Sequence, residues 1–160
     1  MVSKKTGALM ECSFYLGALL GTDVPDAVES FKHCGRNLGL VFQIRDDILG
    51  VWGTEENTGK PIAADIKRKK KCLPVVYALQ EANGSNAERL RAFFKKGAPD
   101  KEAVKEILGI LDRLDTLNYC QFLARDYCDR ALQDVQGAKL SLSVRSELEE
   151  LANFFLEREH

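Results

Sequence analysis

Apolar residues recur at steps of three and four along almost the whole chain, and this spacing places them on one face of an α-helix. Residues 3 to 20 form the first such run, and Pro25-Asp26 opens a second one that continues to Ile48. Further runs cover 73 to 82, about 86 to 95, a segment capped by Asp100, Leu117 to about Val135, and a final segment that ends in FFLERE. Residues 53 to 65 hold glycines, a proline and polar residues, which indicates a loop. No segment shows a convincing strand pattern, so we predict an all-α fold, with about six or seven helices packed as a bundle in a single domain over residues 1–160.

The overall charge argues against two classes of partner. The formal net charge is −1 over 160 residues, so no overall field favours nucleic acid or an anionic membrane. Charged residues interrupt the longest apolar stretches well before the length of a membrane span, and the N-terminus shows no signal-peptide pattern. We therefore expect no nucleic-acid partner and no membrane span.

The cysteines do not form a metal motif. Five of them, at positions 12, 34, 72, 120 and 128, have no CxxC spacing, and only two histidines accompany them. A zinc site is not expected from this set. Most of these cysteines are expected to be small buried apolar residues in a reducing compartment, which predicts a cytoplasmic location.

Two aspartates, Asp46 and Asp47, stand side by side in the segment GLVFQIRDDILGVWG, residues 39 to 53. Adjacent carboxylates repel each other, so such a pair commonly has a cation to hold. On a helix, Gln43, both aspartates and Gly50 are spaced to share one side. A solvated surface helix with incidental acids is the alternative interpretation, but the surrounding residues are too apolar for it. We therefore expect the pair to face a cavity and to bind Mg²⁺, which prefers carboxylate oxygens.

Two glycines upstream of the pair, Gly35 and Gly39, fall on roughly the same side of this helix. Glycine in a helix interior costs about 1 kcal/mol relative to alanine, so their presence needs a reason. The reason that we expect is open volume beside the carboxylates. Close packing of a neighbouring helix is the alternative.

Basic residues stand in three places around the aspartates in the sequence. Lys60 lies in the loop, the run KRKKK covers residues 67 to 71 after Asp65, and Lys5 precedes Thr6 near the start of the chain. The run alone is open to other interpretations, namely a solvated charge cluster, a nucleic-acid patch or a targeting signal. Lysines and Mg²⁺ together are what a diphosphate leaving group requires, because both neutralise the charge that grows as its carbon–oxygen bond breaks.

The order of these pieces resembles the C-terminal half of the polyprenyl synthetases, the trans-isoprenyl diphosphate synthases that include farnesyl and geranylgeranyl diphosphate synthases. The segments that carry the resemblance are KTGAL, LGLVFQIRDDILGVWG, TGKPIAADI, KKKCLPVVYAL, LARDYCDRAL and LANFFLERE. The resemblance implies the isoprenoid synthase fold, an all-α bundle around a deep apolar cavity that is commonly dimeric. It also implies Mg²⁺-dependent condensation of isopentenyl diphosphate with an allylic diphosphate.

Roles for individual residues are implied by the same resemblance. Asp46 corresponds to the main Mg²⁺ ligand of the second aspartate-rich motif, at residues 46 to 50, and Asp47 corresponds to a weaker or indirect partner of the metal. The other implied site residues are the lysines that grip the diphosphate (Lys5 and Lys60, then Lys70 with Lys71 behind it) and the polar residues near the nascent carbocation (Thr6 and Gln43).

The chain departs from the family pattern in two ways. The motif DDxxD ends here in Gly50, one turn beyond Asp46, which removes at most one metal ligand, and we expect Gly50→Asp to leave metal binding unchanged or stronger. The family's first aspartate-rich motif and its isopentenyl diphosphate site belong upstream of the KT pair, and the sequence has no such segment. We therefore expect the chain alone to be inactive or weakly active.

Two hypotheses of function remain open. In the first, the chain is a fragment or subunit of a prenyltransferase that needs the missing N-terminal half for turnover. In the second, it is a non-catalytic diphosphate-binding or regulatory partner of a full-length synthase. The GKP and D-I-basic segments argue against a third, terpene cyclase or squalene-synthase-like chemistry. Half a bundle exposes an apolar cavity wall, so we also expect a homo-oligomer or pairing with a chain that supplies the N-terminal half.

Overall fold

The computed structural model describes residues 6–59, 61–95 and 97–159, with residues 57 and 58 described by their backbone alone. These residues form helices and connecting turns and no strand, which confirms the all-α prediction. The helices are α1 (Thr6–Gly21), α2 (Pro25–Trp52), α3 (Glu55–Thr58), α4 (Ala64–Lys67), α5 (Leu73–Glu81), α6 (Gly84–Lys95), α7 (Lys101–Arg113), α8 (Thr116–Asp134) and α9 (Leu142–Glu157).

The longer helices begin and end close to the residues that the sequence period predicts. α2 begins at Pro25, and α7 follows Asp100, whose carboxylate accepts a hydrogen bond of 2.7 Å from the N–H of Ala103. The predicted loop over residues 53 to 65 is the main difference, because it contains α3 and the start of α4. A single helical turn is too short to show a period, so the pattern of apolar residues could not reveal either helix.

The described residues divide into two compact units, each with a core of its own. The first unit contains α1, α2 up to Arg45, α8 from Phe122 onward, and α9. The second unit contains α2 from Asp46, the helices α3 to α7, and the first part of α8. The single domain expected over residues 1–160 stays a prediction.

Glycines set the distance between α1 and α2 in the first unit. A Cβ atom added at Gly39 would lie 2.7 Å from the Cα of Gly7, and one added at Gly35 would lie 2.6 Å from the Cβ of Phe14. Real Cβ atoms do not approach other heavy atoms this closely, so both positions admit only glycine while α1 stays in place. The expectation that these glycines keep volume open is wrong, because α1 fills the space that their missing side chains leave.

The core of the second unit holds the short helices beside the end of α2. Ile66 of α4 and Val75 of α5 are 0% exposed, and they belong to the same buried cluster as Val51 of α2 and Ile107 of α7. A helix of one turn is not stable in isolation, since forming the first turn is unfavourable. Burial of Ile66 therefore accounts for the presence of α4.

The chain reverses direction directly after α4. The N–H of Lys69 donates to the carbonyl of Ile66 at 2.9 Å, and the N–H of Lys70 donates to the carbonyl of Asp65 at 2.9 Å. These two hydrogen bonds form a Schellman motif, which needs one residue in the left-handed region. Lys69, with φ of 53°, occupies that position in place of the more usual glycine. The turn brings Lys70 back towards Asp65, five residues earlier in the chain.

Candidate functional site

One ammonium group lies among three carboxylates in the second unit. The Nζ atom of Lys70 is 2.8 Å from Oδ2 of Asp65, 3.0 Å from Oδ1 of Asp47 and 3.7 Å from Oδ2 of Asp46. We call these four residues the Lys70 cluster. It joins the adjacent aspartates of α2 to the turn that follows α4.

The Lys70 cluster is closed at one side and open at the other. The side chain of Asp47 is 2% exposed and that of Asp65 is 12% exposed, whereas the side chains of Asp46 and Lys70 are 37% and 42% exposed. A molecule in solution therefore has access to Asp46 and to the ammonium group, and little access to the carboxylate of Asp47.

Asp47 uses both of its oxygens inside the protein. Its Oδ1 accepts from Lys70, and its Oδ2 accepts from the backbone N–H of Leu73 at 2.8 Å. Leu73 is the first residue of α5, and the preceding residue, Cys72, provides no side-chain cap. The carboxylate of Asp47 thus supplies the acceptor and the negative charge that favour a helix N-terminus. Its position connects α2 to the start of α5.

Gly50 lies against the carboxylate of Asp65. A Cβ atom added at Gly50 would overlap the Oδ2 and Cγ atoms of Asp65. Asp65 is a residue for which the sequence predicted no role, although the D-I-basic segment contains it. The signal was incomplete, because the turn at Lys69 that brings Asp65 and Lys70 together has no glycine to mark it.

Lys70 stays positively charged over a wide pH range. Partial burial on its own lowers the pKa of Lys70, but the hydrogen bonds to Asp65 and Asp47 outweigh it and raise that pKa above its ordinary value. The side chain is therefore an ammonium ion at neutral pH. It acts as a donor to carboxylates or phosphates and not as a general base.

The donor set fits a magnesium ion that shares its coordination with phosphate oxygens. Within the described ranges, no three histidine, cysteine, aspartate or glutamate side chains converge closely enough to hold a metal by themselves. Magnesium in proteins commonly uses one or two carboxylates, water and the phosphates of a substrate, which is a smaller demand. The partly exposed carboxylate of Asp46 meets that demand, and Asp47 and Asp65 stand behind it.

Comparison with known proteins identifies the family to which these segments belong. The sequence model of the polyprenyl synthetase family matches residues 1–111, which include both aspartates and the whole basic run. This chain belongs to the polyprenyl synthetase family. A short chain isoprenyl diphosphate synthase from Methanothermobacter thermautotrophicus is 36% identical over 160 residues, which are 100% of this chain and 48% of that protein. The heptaprenyl diphosphate synthase component 2 of Geobacillus stearothermophilus is 30% identical over 161 residues. The aligned region spans 99% of this chain and 48% of that protein.

Solved polyprenyl synthetases have the same helical fold. A geranylgeranyl pyrophosphate synthetase from Pyrococcus horikoshii matches 99% of this chain with a TM-score of 0.87 at 34% identity, over 48% of its own chain. A geranylgeranyl pyrophosphate synthase from Corynebacterium glutamicum, in complex with isoprenyl diphosphate and magnesium, matches 89% of this chain with a TM-score of 0.78 at 27% identity, over 41% of its own chain. The prediction of the isoprenoid synthase fold is confirmed. The chain spans about half the length of the relatives that it matches.

The structure describes six of the eight residues implied by the polyprenyl synthetase motifs. Asp46, Asp47 and Lys70 come together in the Lys70 cluster, whereas Lys71 is exposed and forms no ion pair with the described residues. Thr6, at the start of α1, and Gln43, on α2, are half-buried residues of the first unit. Lys5 and Lys60 lie outside the described residues. Their roles stay predictions.

Two further expectations concern the chain as a whole. Four cysteines are buried and one, Cys12, is exposed, and all five are free thiols, which confirms that most of them serve as small apolar residues. In the described part of the chain, every helix is too short or too polar to cross a membrane.

Proposed function

We propose that this chain is the C-terminal-half portion of a trans-prenyltransferase. In this role it contributes to the Mg²⁺-dependent condensation of isopentenyl diphosphate with an allylic diphosphate, and it needs an N-terminal half for turnover. The observation that carries the proposal is the Lys70 cluster, in which one ammonium and three carboxylates meet within 4 Å at the second aspartate-rich motif of the family. The isoprenyl diphosphate and magnesium bound by the Corynebacterium relative support the assignment of substrate class and metal.

The proposed chemistry is a heterolytic ionisation followed by carbon–carbon bond formation. The C1–O bond of the allylic diphosphate breaks and its electron pair leaves with the diphosphate, so an allylic carbocation forms. The double bond of isopentenyl diphosphate then supplies the electrons of the new carbon–carbon bond, and loss of a proton restores a double bond. Bound magnesium would neutralise charge on the leaving diphosphate.

The residues of this chain take roles that match their chemistry and exposure. Asp46 holds the metal, since its carboxylate is the open one, and Asp47 and Asp65 orient the group around it. The remaining proposed roles are those of lysines that bind the diphosphate (Lys5, Lys60, Lys70 and Lys71) and of polar residues beside the carbocation (Thr6 and Gln43).

A partner that supplies the N-terminal half is part of this proposal. Leucines on α1 are exposed to an unusual degree, at 68% for Leu9, 52% for Leu16 and 91% for Leu20. Their spacing places them along one stripe of the helix, and an apolar stripe of this kind is commonly covered by another polypeptide. The Geobacillus relative is component 2 of a heptaprenyl diphosphate synthase, which favours pairing between different chains. A homo-oligomer is the alternative.

Light scattering coupled to size-exclusion chromatography tests the expected association. We expect the purified chain to elute as an oligomer at micromolar concentration, because the stripe of leucines favours association. A clean monomer would contradict this. Double substitution of Leu16 and Leu20 by serine is expected to shift any oligomer towards the monomer.

Reconstitution tests the proposed catalytic role. The chain is assayed with Mg²⁺, isopentenyl diphosphate and several allylic diphosphates, alone and together with a polypeptide that corresponds to the N-terminal half of the Methanothermobacter relative. We expect turnover only in the mixture, and we expect Asp46→Asn to abolish it. Turnover by the chain alone would contradict the need for a second half.

The second candidate function is that of a non-catalytic diphosphate-binding or regulatory partner of a full-length synthase. It is favoured by the Lys70 cluster itself, because a partly exposed ammonium and a partly exposed carboxylate are groups that bind a diphosphate and its magnesium without any need for turnover. In this case the N-terminal half restores no turnover, whereas addition of the chain to a full-length relative changes that enzyme's rate or product length. The expected cytoplasmic location stays a prediction under either function.

A further inference from the structure

We infer that Lys70 is an internal counterion that occupies the cation site of the carboxylates until a diphosphate draws its ammonium away. Metal ions alone are then disfavoured at this site, and magnesium enters together with the diphosphate. The inference rests on the proposed function for the nature of the second ligand. The counterion role itself concerns only the residues of this chain.

The position between the three carboxylates is already filled by a positive charge. The Nζ atom of Lys70 lies within 4 Å of one oxygen from each of Asp46, Asp47 and Asp65. A magnesium ion bound to Asp46 would stand close to this ammonium. Two cations this close to each other repel, and the double charge of magnesium strengthens that repulsion.

Two of the three carboxylates are held in place by the fold, whereas the ammonium of Lys70 is carried by a flexible side chain. Asp47 is held by the N–H of Leu73 as well as by Lys70, and Asp65 lies in the one-turn helix α4, anchored by the buried Ile66. Lys70 carries its charge on a flexible four-carbon stem, and 42% of its side chain is exposed. The ammonium is therefore the component that gives way when a second cation binds.

A diphosphate offers the displaced ammonium of Lys70 a new partner. Phosphate oxygens accept charge-assisted hydrogen bonds from lysine as carboxylates do. When Lys70 turns to the diphosphate, its ammonium moves away from the carboxylates, and its repulsion of a metal ion at Asp46 falls. Binding of diphosphate thus raises the affinity for magnesium, and by linkage magnesium raises the affinity for diphosphate by the same factor.

The position of the lysine in the chain supports this exchange. The Schellman turn fixes the backbone of Lys70 through its N–H bond to the carbonyl of Asp65, and the side chain leaves from there. Only the side-chain torsions have to change for the ammonium to move outward. No rearrangement of α2 or α5 is required.

Isothermal titration calorimetry on the full chain tests the counterion role. The probes are Mg²⁺ alone, inorganic pyrophosphate alone, and Mg²⁺ in the presence of saturating pyrophosphate. The variants are Lys70→Met, which removes the charge and keeps the length, and Lys70→Arg, which keeps the charge. The matched control is Lys67→Met, which removes the same charge from an exposed position in the same basic run.

For Lys70→Met we expect the affinity for Mg²⁺ alone to rise by about tenfold or more, because the repulsion is gone. The factor by which pyrophosphate strengthens Mg²⁺ binding is expected to be smaller than in the unmodified chain, because pyrophosphate still supplies oxygen ligands but no longer draws away a repelling charge. Lys67→Met and Lys70→Arg are expected to behave like the unmodified chain. Equal affinity for Mg²⁺ alone in Lys70→Met and Lys67→Met would overturn the counterion role.

A different outcome would overturn the proposed function instead. Suppose that the unmodified chain binds no pyrophosphate with or without Mg²⁺, while Lys70→Met still gains affinity for Mg²⁺. That result would support the counterion role of Lys70 and contradict the diphosphate site of the proposed function. A measurement on the unmodified chain covers the case in which Lys70→Met fails to fold. The NMR signal of the Lys70 ammonium is expected to shift when Mg²⁺ and pyrophosphate are added together, and a signal unmoved at saturation would overturn the inference.

Discussion

At Asp47 the carboxylate is buried beside a partly exposed lysine, and both of its oxygens accept hydrogen bonds. Its neighbour Asp46 has the same side chain and lies next to it in the sequence, yet its side chain is 37% exposed. Adjacent residues on a helix point about 100° apart, so one member of the pair faces the protein interior and the other faces the opening. We therefore expect Asp47 to contribute mainly to stability and Asp46 to contribute mainly to ligand binding.

Asparagine substitutions separate these contributions. Asp47→Asn places an amide group where a carboxylate neutralised Lys70, so we expect the free energy of unfolding to fall by about 2–3 kcal/mol. Asp46→Asn is expected to change the free energy of unfolding by less than about 1 kcal/mol, since the ion pair is longer and exposed. Urea denaturation measures both values, and calorimetry with Mg²⁺ and pyrophosphate is expected to show the larger loss of binding in Asp46→Asn. Equal stability of the two variants would contradict this division.

Gly50 gives a second prediction at the scale of a residue. The sequence alone favoured unchanged or stronger metal binding in Gly50→Asp, but the overlap between a Cβ atom at this position and the carboxylate of Asp65 reverses that expectation. We expect both Gly50→Ala and Gly50→Asp to lower the free energy of unfolding, by about 1–3 kcal/mol for alanine, and to weaken binding of Mg²⁺ with pyrophosphate.

A double-mutant cycle checks the cause of this loss. In an Asp65→Ala background the overlapping carboxylate is absent, so Gly50→Ala is expected to cost much less than it does in the unmodified chain. Strict additivity of the two substitutions in urea denaturation would show that Asp65 is not the obstacle.

At the scale of single elements, the glycines between α1 and α2 give the clearest test. Gly39→Ala brings a Cβ atom to 2.7 Å from the backbone of Gly7, and the backbone cannot move aside cheaply. We expect it to lower the free energy of unfolding by about 1–3 kcal/mol. The control is Gly17→Ala on α1, where an added Cβ meets nothing within 4 Å and where alanine is expected to stabilise the helix by up to about 1 kcal/mol.

The outcome is read by urea denaturation of both variants. Loss of stability in Gly39→Ala together with a gain in Gly17→Ala supports close packing at α2. A stabilising effect of Gly39→Ala would restore the earlier expectation of open volume at that position.

The sequence was sufficient to predict the long helices but not the shortest ones. The period of apolar residues predicted the long helices because each of them buries one stripe in a core, and the cap at Asp100 followed from its residue type. The same reasoning left out α3 and α4, which are shorter than a period, and gave Gly35 and Gly39 the wrong role. It placed Asp46, Asp47 and Lys70 in one site through motif order but assigned nothing to Asp65. That contact depends on a left-handed turn at Lys69, a conformation that its residue type does not announce.

At the scale of the whole molecule, the buried cysteines report on the stability of each unit. Cys34 and Cys128 lie in the first unit, whereas Cys72 and Cys120 lie in the second. Burial raises the pKa of Cys34, Cys72 and Cys120 to about 12, which leaves little reactive thiolate at neutral pH.

We therefore expect one fast thiol out of five when the folded chain is treated with a disulfide reagent at pH 8, and that thiol is Cys12. The other four are expected to react only on addition of denaturant. Cys12→Ser is the control and is expected to remove the fast phase. Fast reaction of two or more thiols in the folded chain would contradict the burial described here. Peptide mapping at intermediate denaturant also shows whether the two units open together or one before the other.

The exposed leucines of α1 affect how the integrity of this chain is judged. Dyes such as anilinonaphthalene sulfonate fluoresce on apolar surface, and strong fluorescence is commonly taken as the mark of a molten globule. With Leu20 exposed to 91% and Leu9 to 68%, the stripe on α1 offers such a surface while both cores are packed. A fully folded preparation in which the stripe is not covered by another chain would then resemble a partly unfolded one in a dye assay. Near-ultraviolet circular dichroism and cooperative unfolding, which depend on the packed cores, distinguish the two states, and a partner bound over α1 would abolish the fluorescence without refolding anything.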